Sequence, residues 1–160
     1  MSLTWDAPDC SHVKYHISGL PDYEEGKEVF DTSETICDLQ CGDVYSFQVE
    51  TVAADGVTKG VAETVKGYTE PLPVLNLHVS EVNTSCMSLK WDAPDCSHVT
   101  YHIFGLPDYE EGREVFDTSE TICDLQCGDE YSYIVETVAA DGVTIGVAET
   151  VKGYTGKILH

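Results

Sequence analysis

The sequence predicts an all-β chain of two tandem β-sandwiches, and three observations carry that reading. Residues 1–69 align with residues 87–155 at an offset of 86 with eight differences, which leaves 61 identities in 69 positions. A unit that recurs at fixed period folds as a block and extends by addition of blocks. Apolar and polar residues alternate in short runs such as SLTW, VKYHIS and YSFQVETV, the period-two pattern of half-buried strands, and no run keeps a helical period. Between these runs lie turn signals: Pro8 and Asp9, Gly19 to Pro21, Glu25 and Gly26, Gly42 and Asp43, Asp55 and Gly56. Short strands at this spacing imply a sandwich or a small barrel.

Taken in order along one repeat, SLTWDAP is followed by VKYHI and then by Leu39-x-x-Gly42-x-x-Tyr45, and the same residues recur as Trp91, Leu125, Gly128 and Tyr131. This combination resembles the fibronectin type III family, an immunoglobulin-like sandwich in which an early strand carries a core tryptophan and a corner between the sheets carries that Leu, Gly and Tyr. The resemblance covers both copies. It implies that Trp5, Leu39, Tyr45, Trp91, Leu125 and Tyr131 are structural, the tyrosine ring lying under the connection while its hydroxyl holds a backbone group a few residues upstream.

Mapped onto the sequence, the family order implies strands over about 2–6, 13–18, 34–38, 44–53 and 60–68. No segment supplies the family's first strand to copy one. For copy two, VLNLHVSEV at 74–82 supplies it. The expected organisation is therefore an incomplete first repeat over 1–69, a Pro-stiffened linker over 70–73, a second repeat over 74–155 and a tail over 156–160. Met1 aligns with Met87 inside the second copy, so the sequence is expected to be a piece of a longer array.

Twenty-nine acidic residues against eight basic give a formal charge of −21, and a field of that sign repels nucleic acid and anionic membranes. No stretch reaches the roughly 18 to 20 apolar residues of a membrane-spanning helix, so no membrane insertion is expected. Catalysis is not expected either: no nucleophile sits in a strained elbow, no carboxylate pair stands out, and His12, His16, His98 and His102 fall in a loop and on a strand surface.

Seven cysteines occur: Cys10, Cys37 and Cys41 in copy one, and Cys86, Cys96, Cys123 and Cys127 in copy two. Their density without a redox motif points to an oxidising, extracellular compartment. Four cysteines in a repeat permit three pairings. In the family, the strands that carry Cys86 and Cys123 are antiparallel neighbours, so the resemblance implies a Cys86–Cys123 bridge. Cys96 and Cys127 fall at opposite poles of a module, beyond the roughly 7 Å that a bridge tolerates between Cα atoms. In tandem arrays of the family, however, the corner end of one module faces the opposite end of the next, which implies a Cys41–Cys96 bridge. Cys10, Cys37 and Cys127 would then pair with residues outside the chain. The open alternative is a local bridge within CDLQC, between Cys37 and Cys41. A zinc site at CDLQC lacks further ligands.

Differences between the copies mark a face. Ser18, Gln48 and Lys59, all on the outward parity of neighbouring strands, become Phe104, Ile134 and Ile145. Three such changes on one sheet predict an apolar patch that serves as an interface. The competing explanation is neutral drift at surface sites. Asn83-Thr84-Ser85 fits the acceptor pattern for an N-linked sugar at an exposed turn. The acidic loop over 21–26, repeated over 107–112, lacks the ligand ladder of a calcium site and reads as solvated charge. No cofactor or metal is expected, and Ala54-Asp55-Gly56 lacks the arginine of the family's integrin-binding tripeptide. The expected function is an extracellular structural or adhesive module in a longer disulfide-stiffened array or filament. Its partners would be other protein modules, copies of itself included. The competing expectation is a ligand-binding ectodomain of a cell-surface receptor.

Overall fold

The structure is a computed structural model that describes residues 1–20 and 24–156. The chain divides into two compact units, Met1–Gln40 with Val44–Thr69, and Cys41–Asp43 with Glu70–His160. The short corner segment Cys41–Asp43, which belongs to the first repeat in sequence, thus groups with the second unit.

In unit 1 the strands are β1 (Ser2–Thr4), β2 (Lys14–Ser18), β3 (Lys27–Val29), β4 (Ser33–Thr35), β5 (Val44–Val52) and β6 (Glu63–Tyr68). β1 pairs with β4, and a second sheet runs β3-β2-β5-β6, every pair antiparallel. The alternation read from sequence is visible directly: in β2 Tyr15 and Ile17 are buried while His16 and Ser18 face out. Leu3, Tyr15, Ile17, Val29, Ile36 and Phe47 form the core between the two sheets.

Unit 2 holds β7 (Leu75–Val82), β8 (Met87–Asp92), β9 (Thr100–Gly105), β10 (Tyr109–Val115), β11 (Ser119–Ile122), β12 (Glu130–Val138) and β13 (Glu149–Tyr154). Its sheets run β11-β8-β7 and β10-β9-β12-β13. Met87, Leu89 and Trp91 alternate inward along β8 and meet Tyr101, Ile103, Tyr133 and Val135 from the facing sheet. Burial of aromatic and aliphatic side chains from two sheets is the main source of stability for such a sandwich.

The corner before the long strand is built alike in both units. The Tyr45 hydroxyl accepts the Gln40 N–H at 2.9 Å, and that of Tyr131 accepts the Gln126 N–H at 2.8 Å. Gly42 and Gly128 take φ of 73° and 83°, a conformation that residues with a Cβ rarely adopt, so the corner turns there. Leu125 is buried beneath the corner, and Leu39 packs partly buried against the core of unit 1.

Two elements depart from the sequence reading. β3 is a strand where the sequence reading places none, and β10 runs through part of the segment read as solvated charge. In the second repeat Tyr109–Gly112 is strand rather than acidic loop, because Tyr109 buries its ring against Tyr133 and the pairing with β9 resumes at Arg113 after a bulge. In the first repeat the corresponding segment is 23–26, where Glu24 and Glu25 form a turn and Gly26 precedes β3; residues 21–23 lie outside the described residues.

Candidate functional site

The cysteines divide into two bridges and three thiols. Within unit 2, Cys86 joins Cys123 with Cα atoms 4.1 Å apart, and Cys41 joins Cys96 with Cα atoms 5.0 Å apart. Both separations fall near or within the span that disulfide geometry allows. β8 and β11 bring the first pair together, since Met87 stands opposite Ile122 in their register. Around the second, the Ser97 N–H donates to the Cys41 carbonyl at 3.3 Å, and the Leu72 N–H points at the Cys96 sulfur at 3.2 Å. Cys10, Cys37 and Cys127 are exposed free thiols, so Cys37 is not joined to Cys41.

The outer face of the four-stranded sheet differs between the units. In unit 1, Lys59 is hydrogen-bonded to Glu50, and His16 Nδ1 lies 3.1 Å from the same carboxylate oxygen. The bond from Lys59 comes first in holding the Glu50 carboxyl below its ordinary value. In unit 2, Phe104 and Ile134 stand directly opposite each other on β9 and β12. Ile134 is 38% exposed, and the Phe104 ring lies over Gly112, where an added Cβ would come within 2.5 Å of it.

Ile145 pairs instead with Val138, and the cross-strand pair His102–Glu136 falls between it and Ile134. At about 3.4 Å per residue the separation along β12 is roughly 14 Å. The three apolar substitutions therefore form an aromatic–aliphatic pair and an outlying residue, 45% exposed, rather than the one unbroken patch expected from parity alone.

Asn83 is exposed, and its Oδ1 accepts the N–H groups of Ser85 and Cys86 at 2.8 and 2.7 Å, an Asx turn that fixes the approach to β8. A cluster that the sequence reading missed lies at the β10 edge. Tyr109 donates its hydroxyl proton to Glu120 at 2.9 Å, and Arg113 donates to the same hydroxyl at 2.9 Å while pairing with Glu120 at 3.2 Å. Burial, then Glu120, raises the Tyr109 pKa. Its only sequence signal was the Tyr–x₃–Arg spacing, which reads as loop while 107–112 is taken for solvated charge. At the turns after β5 and β12, Asp55 and Asp141 each accept two backbone N–H groups and a threonine hydroxyl. The Thr58 hydroxyl, then the backbone donors, pull Asp55 down to about 2.

Two antiparallel sheets per unit, a core tryptophan and a tyrosine-held corner define the fibronectin type III fold, here in tandem. A two-module segment of chicken tenascin has the same architecture, with a TM-score of 0.63 at 19% identity over 96% of this chain and 91% of that one. Among curated proteins, the chain is 30% identical to the receptor-type tyrosine-protein phosphatase eta of Gallus gallus over 97% of its length. It is likewise 30% identical to the human receptor-type tyrosine-protein phosphatase H over 92%. It spans only 12% and 14% of those two proteins. No family model matches. The chain is thus a fibronectin type III tandem of the extracellular, disulfide-bonded kind.

Proposed function

We propose that this chain is a structural module of an extracellular array, stiffened by disulfides that recur along the repeat and contacting protein partners through the outer face of β9 and β12. The observation that carries the reading is the Cys41–Cys96 bridge together with the repeat offset. Cys127 is the counterpart of Cys41, Cys10 is the counterpart of Cys96, and both are exposed thiols. The residues beside the bridge recur too: Ser97 and Asp43 have their counterparts in Ser11 and Asp129. A second chain therefore offers the chemistry needed to repeat the bridge head to tail.

Oxidised glutathione supplies the test. Two thiols, Cys127 of one chain and Cys10 of another, become one disulfide as glutathione disulfide is reduced to two thiols. With Cys37→Ser as background, the expected result is a ladder of oligomers on non-reducing gels. Cys10→Ser or Cys127→Ser alone should abolish that ladder, and mixing the two variants should give dimers that stop there. A chain that stays monomeric, or a ladder indifferent to both substitutions, overturns the reading.

The similarity to receptor-type phosphatases favours a second reading, the ligand-binding extracellular region of a receptor, with Phe104, Ile134 and Ile145 as the contact face. Sedimentation separates the two. Phe104→Ser, Ile134→Gln and Ile145→Lys together should weaken self-association in an array module and leave a monomeric receptor segment unchanged. A sugar on Asn83 fits either reading, and a mass increase abolished by Asn83→Gln after secretion from a eukaryotic host would establish it.

A further inference from the structure

Residues 19–26 and 105–112 share one sequence of eight residues, yet their described parts pack differently. Leu20 is 8% exposed and belongs to the core of unit 1, whereas its counterpart Leu106 is 60% exposed. In unit 2 the core position goes to Tyr109, which is 4% exposed. Glu24 and Glu25 form a turn before β3, while Glu110 and Glu111 lie within β10. The local propensities of the two segments are the same, so the choice between turn and strand is made by residues outside them.

Three of the eight differences between the copies supply such residues: Ser18, Lys27 and Phe47 become Phe104, Arg113 and Tyr133. The Phe104 ring lies over Gly112. At the equivalent Gly26, an added Cβ would instead meet His16 Nε2 at 2.5 Å, and that nitrogen donates to the Glu25 carbonyl at 2.9 Å, holding the turn against β2. Tyr109 packs edge-on against Tyr133 with ring centroids 6.3 Å apart. The Arg113 guanidinium stands 5.5 Å from the Tyr109 ring centre, donates to its hydroxyl at 2.9 Å and pairs with Glu120. A planar guanidinium can meet a ring, a hydroxyl and a carboxylate at once, which the point charge of an ammonium does less well. In unit 1, Lys27 pairs with Glu34, the counterpart of Glu120.

We infer that residues 105–112 are a two-state element whose strand form is selected by Phe104, Arg113 and Tyr133, the other state being the unit 1 arrangement with the leucine in the core. Each selecting contact is modest alone, but two packings of one sequence lie close in free energy, so a few such contacts decide between them. The strand form gives unit 2 an exposed apolar side chain, Leu106, that unit 1 keeps buried. The element needs none of the cysteines and stands apart from the array reading.

Exchanging the three side chains between the copies, in the full 160-residue chain, is the test. With Phe104→Ser, Arg113→Lys and Tyr133→Phe together, the Leu106 methyl groups should lose their relaxation by a soluble paramagnetic probe and fall to the level of Leu20. The Tyr109 hydroxyl, whose pKa burial and then Glu120 raise in the strand form, should titrate lower, toward its ordinary value. The reverse exchange, Ser18→Phe, Lys27→Arg and Phe47→Tyr, should expose the Leu20 methyl groups to the level of Leu106. Ring signals of Trp5 and Trp91 report that each unit is folded. Arg113→Lys alone, at a side chain 59% exposed, keeps the test open should a triple variant unfold, and it should already lower the Leu106 relaxation. A leucine that keeps its original exposure in a folded variant overturns the inference, as does a Tyr109 titration that the unit 2 exchange leaves unmoved.

Discussion

Strands β1 and β8 read Ser2-Leu3-Thr4 and Ser88-Leu89-Lys90 at equivalent positions, yet one is a sheet edge and the other a central strand. The difference comes from β7, which pairs along β8 and seals Met87 and Trp91, whereas their counterparts Met1 and Trp5 stay half-buried. Near-identical sequence therefore gives unequal burial, and burial rather than sequence sets how much each residue stabilises its unit. The outer faces differ in the opposite way: the register is shared and the chemistry has changed, the cross-strand pair Ser18–Gln48 becoming the apolar Phe104–Ile134 pair and Lys59, which bonds Glu50 beside His16, becoming Ile145.

Matched substitutions at the tryptophans sharpen the first contrast most. Trp91→Ala should cost unit 2 about 3 to 5 kcal/mol, whereas Trp5→Ala should cost unit 1 about half of that, read from residue-resolved urea unfolding. Equal losses would break the comparison. The cysteines come next. Cys86→Ser opens a bridge with a sequence separation of 37, and the loss of loop constraint is worth about 3 to 4 kcal/mol. Cys37→Ser, which removes an exposed free thiol, should leave thermal unfolding where it was.

The smallest effect tests the outer faces. Lys59→Ile writes the residue of copy two into copy one, and the Glu50 carboxyl should titrate higher, toward its ordinary value. A carboxyl depressed in the folded state stabilises above its unfolded pKa, and that contribution is lost as pH falls through the folded value. Removing Lys59 therefore removes stability near neutral pH and moves the remaining acid loss to higher pH, which a carboxyl NMR titration of Glu50 checks.

Much of the fold was legible because inward and outward residues alternate cleanly, as in Tyr15-His16-Ile17 and in Met87 to Trp91, and because the Leu-x-x-Gly-x-x-Tyr corner is local in sequence. β3 and β10 were not legible. Glu110, Glu111 and Gly112 read as a charged turn, and only the burial of Tyr109 against Tyr133, a contact far apart in sequence, makes that segment a strand. The outer face was half legible. Parity put Phe104, Ile134 and Ile145 on one side, but the register that seats His102 and Glu136 between them depends on pairing that no single strand encodes.

Amide hydrogen exchange on the free chain tests most directly whether β7 is what separates the two units. If it is, the amides of β8 exchange on the order of a hundredfold more slowly than those of β1. Equal protection of the two strands would contradict it, since an open edge and a covered one cannot shield their backbone alike.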